Sequence, residues 1–203
     1  MARAMKIWSS VFIAIFISLV HSGICLAGIN AAGIYQEALW VSMDLPAEQR
    51  KQIDDIIVEK AKQVKNLQKV QKIDGMDNFV QLYTLMNYLE EMNNIRTEIN
   101  SKILQLLPPS QKQVFEMQLE KKQDLIEKTA AMILALDLSD KQQAAIINSL
   151  LRNQKKVWSV VAKKSLSWEE RRKKLNKTNP LRMIHGTLTR DQIKNLALWL
   201  KSV

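Results

Sequence analysis

Apolar residues recur along most of this chain at steps of three and four, the spacing of a helix with one buried face. The clearest run is Phe79, Leu82, Met86, Leu89, Met92, Ile95, Ile99, Ile103 and Leu106, which predicts a helix over 77–107. Ile53, Ile56, Ile57, Val64, Leu67 and Val70 predict another over 46–72, with Gly75 at the bend between them. Pro108-Pro109 stops the chain and restarts it, because proline lacks an N–H and restrains the residue before it. Further helices are expected over 110–136, 140–164 and 168–177, and from Arg190 to the end, with a short one over 30–43. Asn179-Pro180 marks a loop. No stretch alternates with a period of two, so the expected class is all-α. Long amphipathic helices need partners for their apolar faces, which points to antiparallel hairpins forming a bundle or cradle.

The first residues break this pattern. Arg3 and Lys6 precede an apolar run, Ile7–Val20, interrupted only by Ser9, Ser10 and Ser18, and Cys25-Leu26-Ala27 is a small-residue end. This is the order of a secretory signal peptide, expected over 1–27, with export across the inner membrane to the periplasm. The run is short for a span of about 20 residues, and an uncleaved anchor is the alternative.

Composition then removes most chemistry. The 203 residues include one Cys and two His, too few for a disulfide framework or the common zinc patterns. No Gly-rich phosphate loop occurs, and nothing marks a nucleophile turn. The adjacent carboxylates Asp54-Asp55 and Glu90-Glu91 point about 100° apart on a helix and read as solvated faces. His185 has no Cys to pair with once the leader is removed. The expectation is a non-enzymatic protein with no metal and no cofactor.

Four helix starts share a pattern: Leu, then Thr, Ser or Pro, two variable residues, then Gln. They are Leu45-Pro46-Ala47-Glu48-Gln49, Leu107-Pro108-Pro109-Ser110-Gln111, Leu138-Ser139-Asp140-Lys141-Gln142 and Leu188-Thr189-Arg190-Asp191-Gln192. In the last two, the Ser139 or Thr189 hydroxyl can cap a free N–H, and Gln142 or Gln192 can reach back to the cap's own N–H, a capping box. Pro46 and Pro108 instead preset the backbone for the first turn. Ser167-Trp168-Glu169-Glu170 is a similar box without the Leu.

With these four copies on a leader-bearing helical chain, the sequence resembles the periplasmic LTxxQ-motif family, the Spy/CpxP-like helical chaperones and envelope-stress proteins. Leu188-Thr189-Arg190-Asp191-Gln192 matches the motif fully; the other copies carry Pro or Ser in place of Thr. The resemblance implies that two copies bracket a hairpin unit. Copies one and two lie 62 residues apart and copies three and four 50 apart, which suits two units in tandem. It also implies ATP-independent binding of unfolded or partly folded proteins, or envelope-stress sensing, and a homodimer in relatives of one unit.

Charge divides the mature chain. Residues 28–137 hold 13 basic and 16 acidic residues, a balance of −3; residues 138–203 hold 15 and 4, a balance of +11. These are the two expected helical units, or halves of one continuous domain. The basic cluster Lys163, Lys164, Arg171, Arg172, Lys173 and Lys174, with Trp158 and Trp168 beside it, is the candidate client- or partner-binding rim. The capping residues of the motif are Leu45, Gln49, Leu107, Gln111, Leu138, Ser139, Gln142, Leu188, Thr189 and Gln192. Such a field suits an acidic protein surface or anionic lipid; the leader disfavours nucleic acid. The competing readings are therefore a regulatory adaptor for an acidic sensor domain and a peripheral binder of anionic envelope lipids. A solvated basic face and core tryptophans explain the same residues without a partner.

Overall fold

The computed structural model describes residues 35–70, 77–120, 135–178 and 184–202. The expected signal peptide, Gly75, residues 121–134 of the helix predicted over 110–136, and the Asn179-Pro180 loop lie outside them. Among the described residues every regular element is a helix: α1 Gln36–Trp40, α2 Ala47–Val70, α3 Asn78–Leu106, α4 Pro109–Glu120, α5 Asp140–Val161, α6 Trp168–Asn176 and α7 Arg190–Ser202. The protein is all-α. None of these helices is long and apolar enough to cross a membrane.

Two compact units divide the chain. Among the described residues the larger runs to Thr187, and the smaller begins at Leu188 and contributes α7. Residues on either side of 137, which the charge balance separates, thus share the larger unit.

In that unit α2 and α3 run antiparallel. Gln49 near the start of α2 reaches the carbonyl of Leu106 at the end of α3, and Lys60 further along reaches Glu98. Helix α5 packs against both. Ile53, Ile57, Val64, Met92, Ile99, Ile103, Ile146, Ile147 and Val157 fill the space among the three and are buried to 1% exposure or less. Helix α1 is the plug of this core. All five of its residues are buried, and Trp40 meets Trp158 of α5 edge to face at 5.6 Å between ring centroids. Edge-to-face packing suits the aromatic quadrupoles.

A short helix buried whole brings its polar side chains inside, and Gln36, Glu37 and Trp40 each bond to a long helix, although Glu37 Oε2 is buried without a partner. Glu37 accepts from Nε and Nη2 of Arg96 at 2.9 and 2.7 Å, and the same guanidinium donates to Gln154 at 2.8 Å. The Trp40 indole donates to Asn100 at 2.7 Å, and Asn100 donates to Gln36 at 3.1 Å. Asn153 donates to the Tyr35 hydroxyl. Burial pushes the Tyr35 hydroxyl up to about 12, against the pull of its bonds to Asn153 and Thr178.

The predicted stripe on α3 is corrected at its start. Phe79 is 78% exposed and Met86 37% exposed, whereas Leu85, Tyr88 and Met92 are buried. At about 100° per residue, a step of three falls about 60° short of a full turn. Leu89, Met92 and Ile95 advance by threes, so the run followed back to Phe79 has rotated off the buried face. Asp54 is also corrected. Its side chain is 19% exposed and holds Arg171, rather than lying on a solvated face.

Candidate functional site

The four helix starts are built as the pattern implies, with one addition. Ser139 N–H donates to Gln142 Oε1 at 3.1 Å, and Gln142 N–H donates back to the Ser139 hydroxyl at 3.4 Å. Thr189 and Gln192 form the same box at 3.0 and 3.3 Å. Ser167 and Glu170 close a third at 2.7 and 3.2 Å. The Ser167 backbone N–H, with its hydroxyl, holds the Glu170 carboxyl below the usual carboxylate range.

The addition is a crossing. Gln49 Nε2 donates to the carbonyl of Leu106, the residue just before the Leu of copy two, at 3.0 Å. Gln111 Nε2 donates to the carbonyl of Asp44, the residue just before the Leu of copy one, at 3.2 Å. Gln142 Nε2 donates at 3.0 Å to the carbonyl of Thr187, the residue just before the Leu of copy four. Gln142 therefore serves two helix starts, its own cap through Oε1 and a second copy through Nε2, while Gln49 and Gln111 reach a second copy through Nε2 alone. Leu45 and Leu107 are buried at the crossing of copies one and two.

Pro46 and Pro108 change this arrangement. Helix α2 begins at Ala47 and α4 at Pro109, so each proline occupies the cap position itself. A proline has no N–H to offer the glutamine. Gln49 Oε1 and Gln111 Oε1 are both buried without a hydrogen-bond partner, as that loss requires. An open cavity of about 260 Å³ lies beside Gln111, between α1 and α4, walled by Leu39, Met43, Val114 and Phe115.

The basic segment divides into an inner and an outer set. Lys163, Lys164, Arg172, Lys173 and Lys174 are exposed. Lys164 pairs with Asp55, and Lys173 pairs with Glu169 at 2.7 Å on α6. These lysines hold the Asp55 and Glu169 carboxyls below their usual range, chiefly by direct hydrogen bonds. Arg171 is corrected: it is 1% exposed and is not a rim residue. Its Nη1 and Nη2 donate to Asp54 at 2.5 and 3.1 Å, and Nη1 also donates to the Val161 carbonyl at 3.0 Å. Its Nε bridges the carbonyls of Lys163 and Leu166 at 3.1 and 3.0 Å. One guanidinium thus fastens the end of α5, the turn after it and the first half of α2, which suits its rigid fork of donors.

Trp158 and Trp168 are corrected with it. Trp158 is buried against Trp40. Trp168 is buried, donates to Asp54 at 3.0 Å, and carries the Arg50 guanidinium 5.5 Å above its ring. Neither ring is available to a client. The side chain of Trp199 lies outside the described residues, and His185 is exposed. Among the described residues no cluster of three or more His, Cys, Asp or Glu is placed to hold a metal.

Sequence reasoning missed Asp54 and Glu37, the carboxylates around which Arg171, Trp168 and Arg96 are organised. Their partners lie 59 to 117 residues away, beyond any local periodicity. No protein-family model matches the chain, and no curated protein and no solved structure matches it.

Proposed function

We propose that this chain is a secreted, periplasmic helical binding protein of the LTxxQ type that holds partly folded proteins without ATP. The observation that carries the reading is the crossing of the motif glutamines. A glutamine needed only for its own cap has no reason to reach a second copy. Three of the four glutamines bond to the residue preceding the Leu of another copy. That supports taking the copies as pairs, as the resemblance implies, rather than as unrelated good helix starts.

The exposed cations Lys163, Lys164, Arg172, Lys173 and Lys174 form the steering surface in this reading. Long-range attraction brings acidic stretches of a client in, and contact with exposed apolar side chains retains it. The test is light scattering from an aggregating model client, with and without the purified protein and without ATP. Suppression near equimolar ratio, weakened by salt, is expected. Absence of suppression at excess, together with fixed-stoichiometry binding of one folded acidic partner, would replace this reading with the adaptor.

A further inference from the structure

The exposed apolar surface is concentrated at one place. Seven large apolar side chains are exposed among the described residues, and four of them, Phe79, Val80, Tyr83 and Met86, lie on the first turns of α3. Phe79, Tyr83 and Met86 follow steps of four and three, so they form one line along the helix. A further step of four brings that line to Glu90, which is exposed, and exposed Glu91 sits beside it. Positions 77–95 contain no Lys and no Arg. The line is therefore aromatic and sulfur-bearing, ends in carboxylate, and has no cation of its own along that stretch.

Area and charge together choose the occupant. With about 150–250 Å² for each aromatic side chain, exposures of 78% for Phe79 and 60% for Tyr83 leave roughly 280 Å². Met86 and Val80 bring the patch to the order of 400 Å², within the range of functional patches. A stable protein–protein interface takes about 800 Å² from each partner. The stripe is half of that, which is too little for a lasting pair of folded copies and enough for a short stretch of chain. The carboxylates at its end select cations in that stretch.

We infer that the Phe79–Tyr83–Met86 stripe is a docking site for a short segment combining apolar residues with Lys or Arg, as a partly unfolded polypeptide exposes. The inference rests on the client-binding reading and deepens it. It assigns the apolar contact to a surface distinct from the cationic one around α6. Arg171 of α6 docks on Asp54 in the first half of α2, and α3 runs antiparallel to α2. The start of α3 thus lies at the opposite end of the helix pair. A client then meets cations at one end and an acidic apolar line at the other. Met86 adds a flexible, polarizable side chain that adapts to varied partners.

The test uses the full chain, a fluorescein-labelled peptide of Leu, Phe and Lys, and two analogues, one with every Lys replaced by Glu and one with every Leu and Phe replaced by Ser. Anisotropy should show the parent peptide binding at least tenfold more tightly than either analogue. Phe79→Ser/Tyr83→Ser should weaken it at least tenfold, and Glu90→Lys several-fold, with unchanged thermal unfolding because these side chains are exposed. Unchanged affinity in Phe79→Ser/Tyr83→Ser overturns the site. If that variant also still suppresses client aggregation, the site alone fails and the client-binding reading stands. If the wild-type protein binds no peptide and suppresses no aggregation, both fail. Sedimentation equilibrium adds a last outcome: a dimer that Phe79→Ser/Tyr83→Ser converts to monomer makes the occupant a second copy and overturns the inference.

Discussion

Replacing Pro46 or Pro108 by Thr should make the protein more stable, although proline usually rigidifies a chain. The four helix starts contain their own comparison. Ser139 supplies both a hydroxyl and an N–H to its box, whereas Pro46 and Pro108 supply neither, and the Oε1 atoms of Gln49 and Gln111 are left buried and unpaired. Caps elsewhere in the molecule sit at φ of −66° (Asp77), −65° (Ser139) and −63° (Ser167), values that proline and threonine both adopt. Thr at position 46 therefore enters without backbone strain. It gains about 1 kcal/mol from the hydroxyl cap and about 1–3 kcal/mol from pairing a buried acceptor. Against this, releasing proline's restraint on the unfolded chain costs about 0.4–1 kcal/mol. The net is about 2 kcal/mol of stabilisation, or roughly 4–8 °C in Tm for a chain of this size. Thermal unfolding followed by helical circular dichroism reads it, with Ser139→Ala as the opposite control, expected to lose about 1 kcal/mol or more. If Pro46→Thr and Pro108→Thr both leave Tm unchanged or lower it while Ser139→Ala lowers it, the glutamines do not work as described.

Two further perturbations test the interior. Arg171→Ala should cost about 3–5 kcal/mol, because it removes the cation paired with Asp54 and a donor from three carbonyls, whereas the neighbouring exposed Arg172→Ala should stay within about 0.5 kcal/mol; urea titration of the two variants separates them. Tyr35 ionises near 10 in an unfolded chain and near 12 in the fold, so its contribution is complete below pH 10 and is lost as pH rises to 12, a decline of up to about 2–3 kcal/mol. Tyr35→Phe should flatten stability across that window, and an unchanged slope would assign the alkaline loss to another group.

Much of the fold was legible because its signals are local. Proline at the helix starts, Ser or Thr three residues before Gln or Glu, and apolar steps of three and four each act within one or two turns. The predicted helices 46–72, 77–107, 140–164 and 168–177 accordingly end within a few residues of α2, α3, α5 and α6. The rotation of α3 was not legible, because steps of three and four both satisfy a helical pattern while drifting in opposite senses. The site was read less well for a related reason. Arg171 stands in a run of four cations and looks like its neighbours in sequence, yet one position on a helix separates the side that faces Asp54 from the side that faces water. The same holds for Asp54 beside Asp55. The glutamine crossings were out of reach because they join residues 45 to 67 apart.

The central proposal, that this helical protein retains partly folded chains, is tested most directly by affinity for one polypeptide in two states. A client whose native form is stable, and whose destabilised point variant stays unfolded in the same buffer, supplies both states with nearly one composition and charge. Calorimetric titration without ATP should show binding of the unfolded variant, weakened by salt, and little or none of the native form. Equal affinity for both states, or binding of neither, would contradict the account.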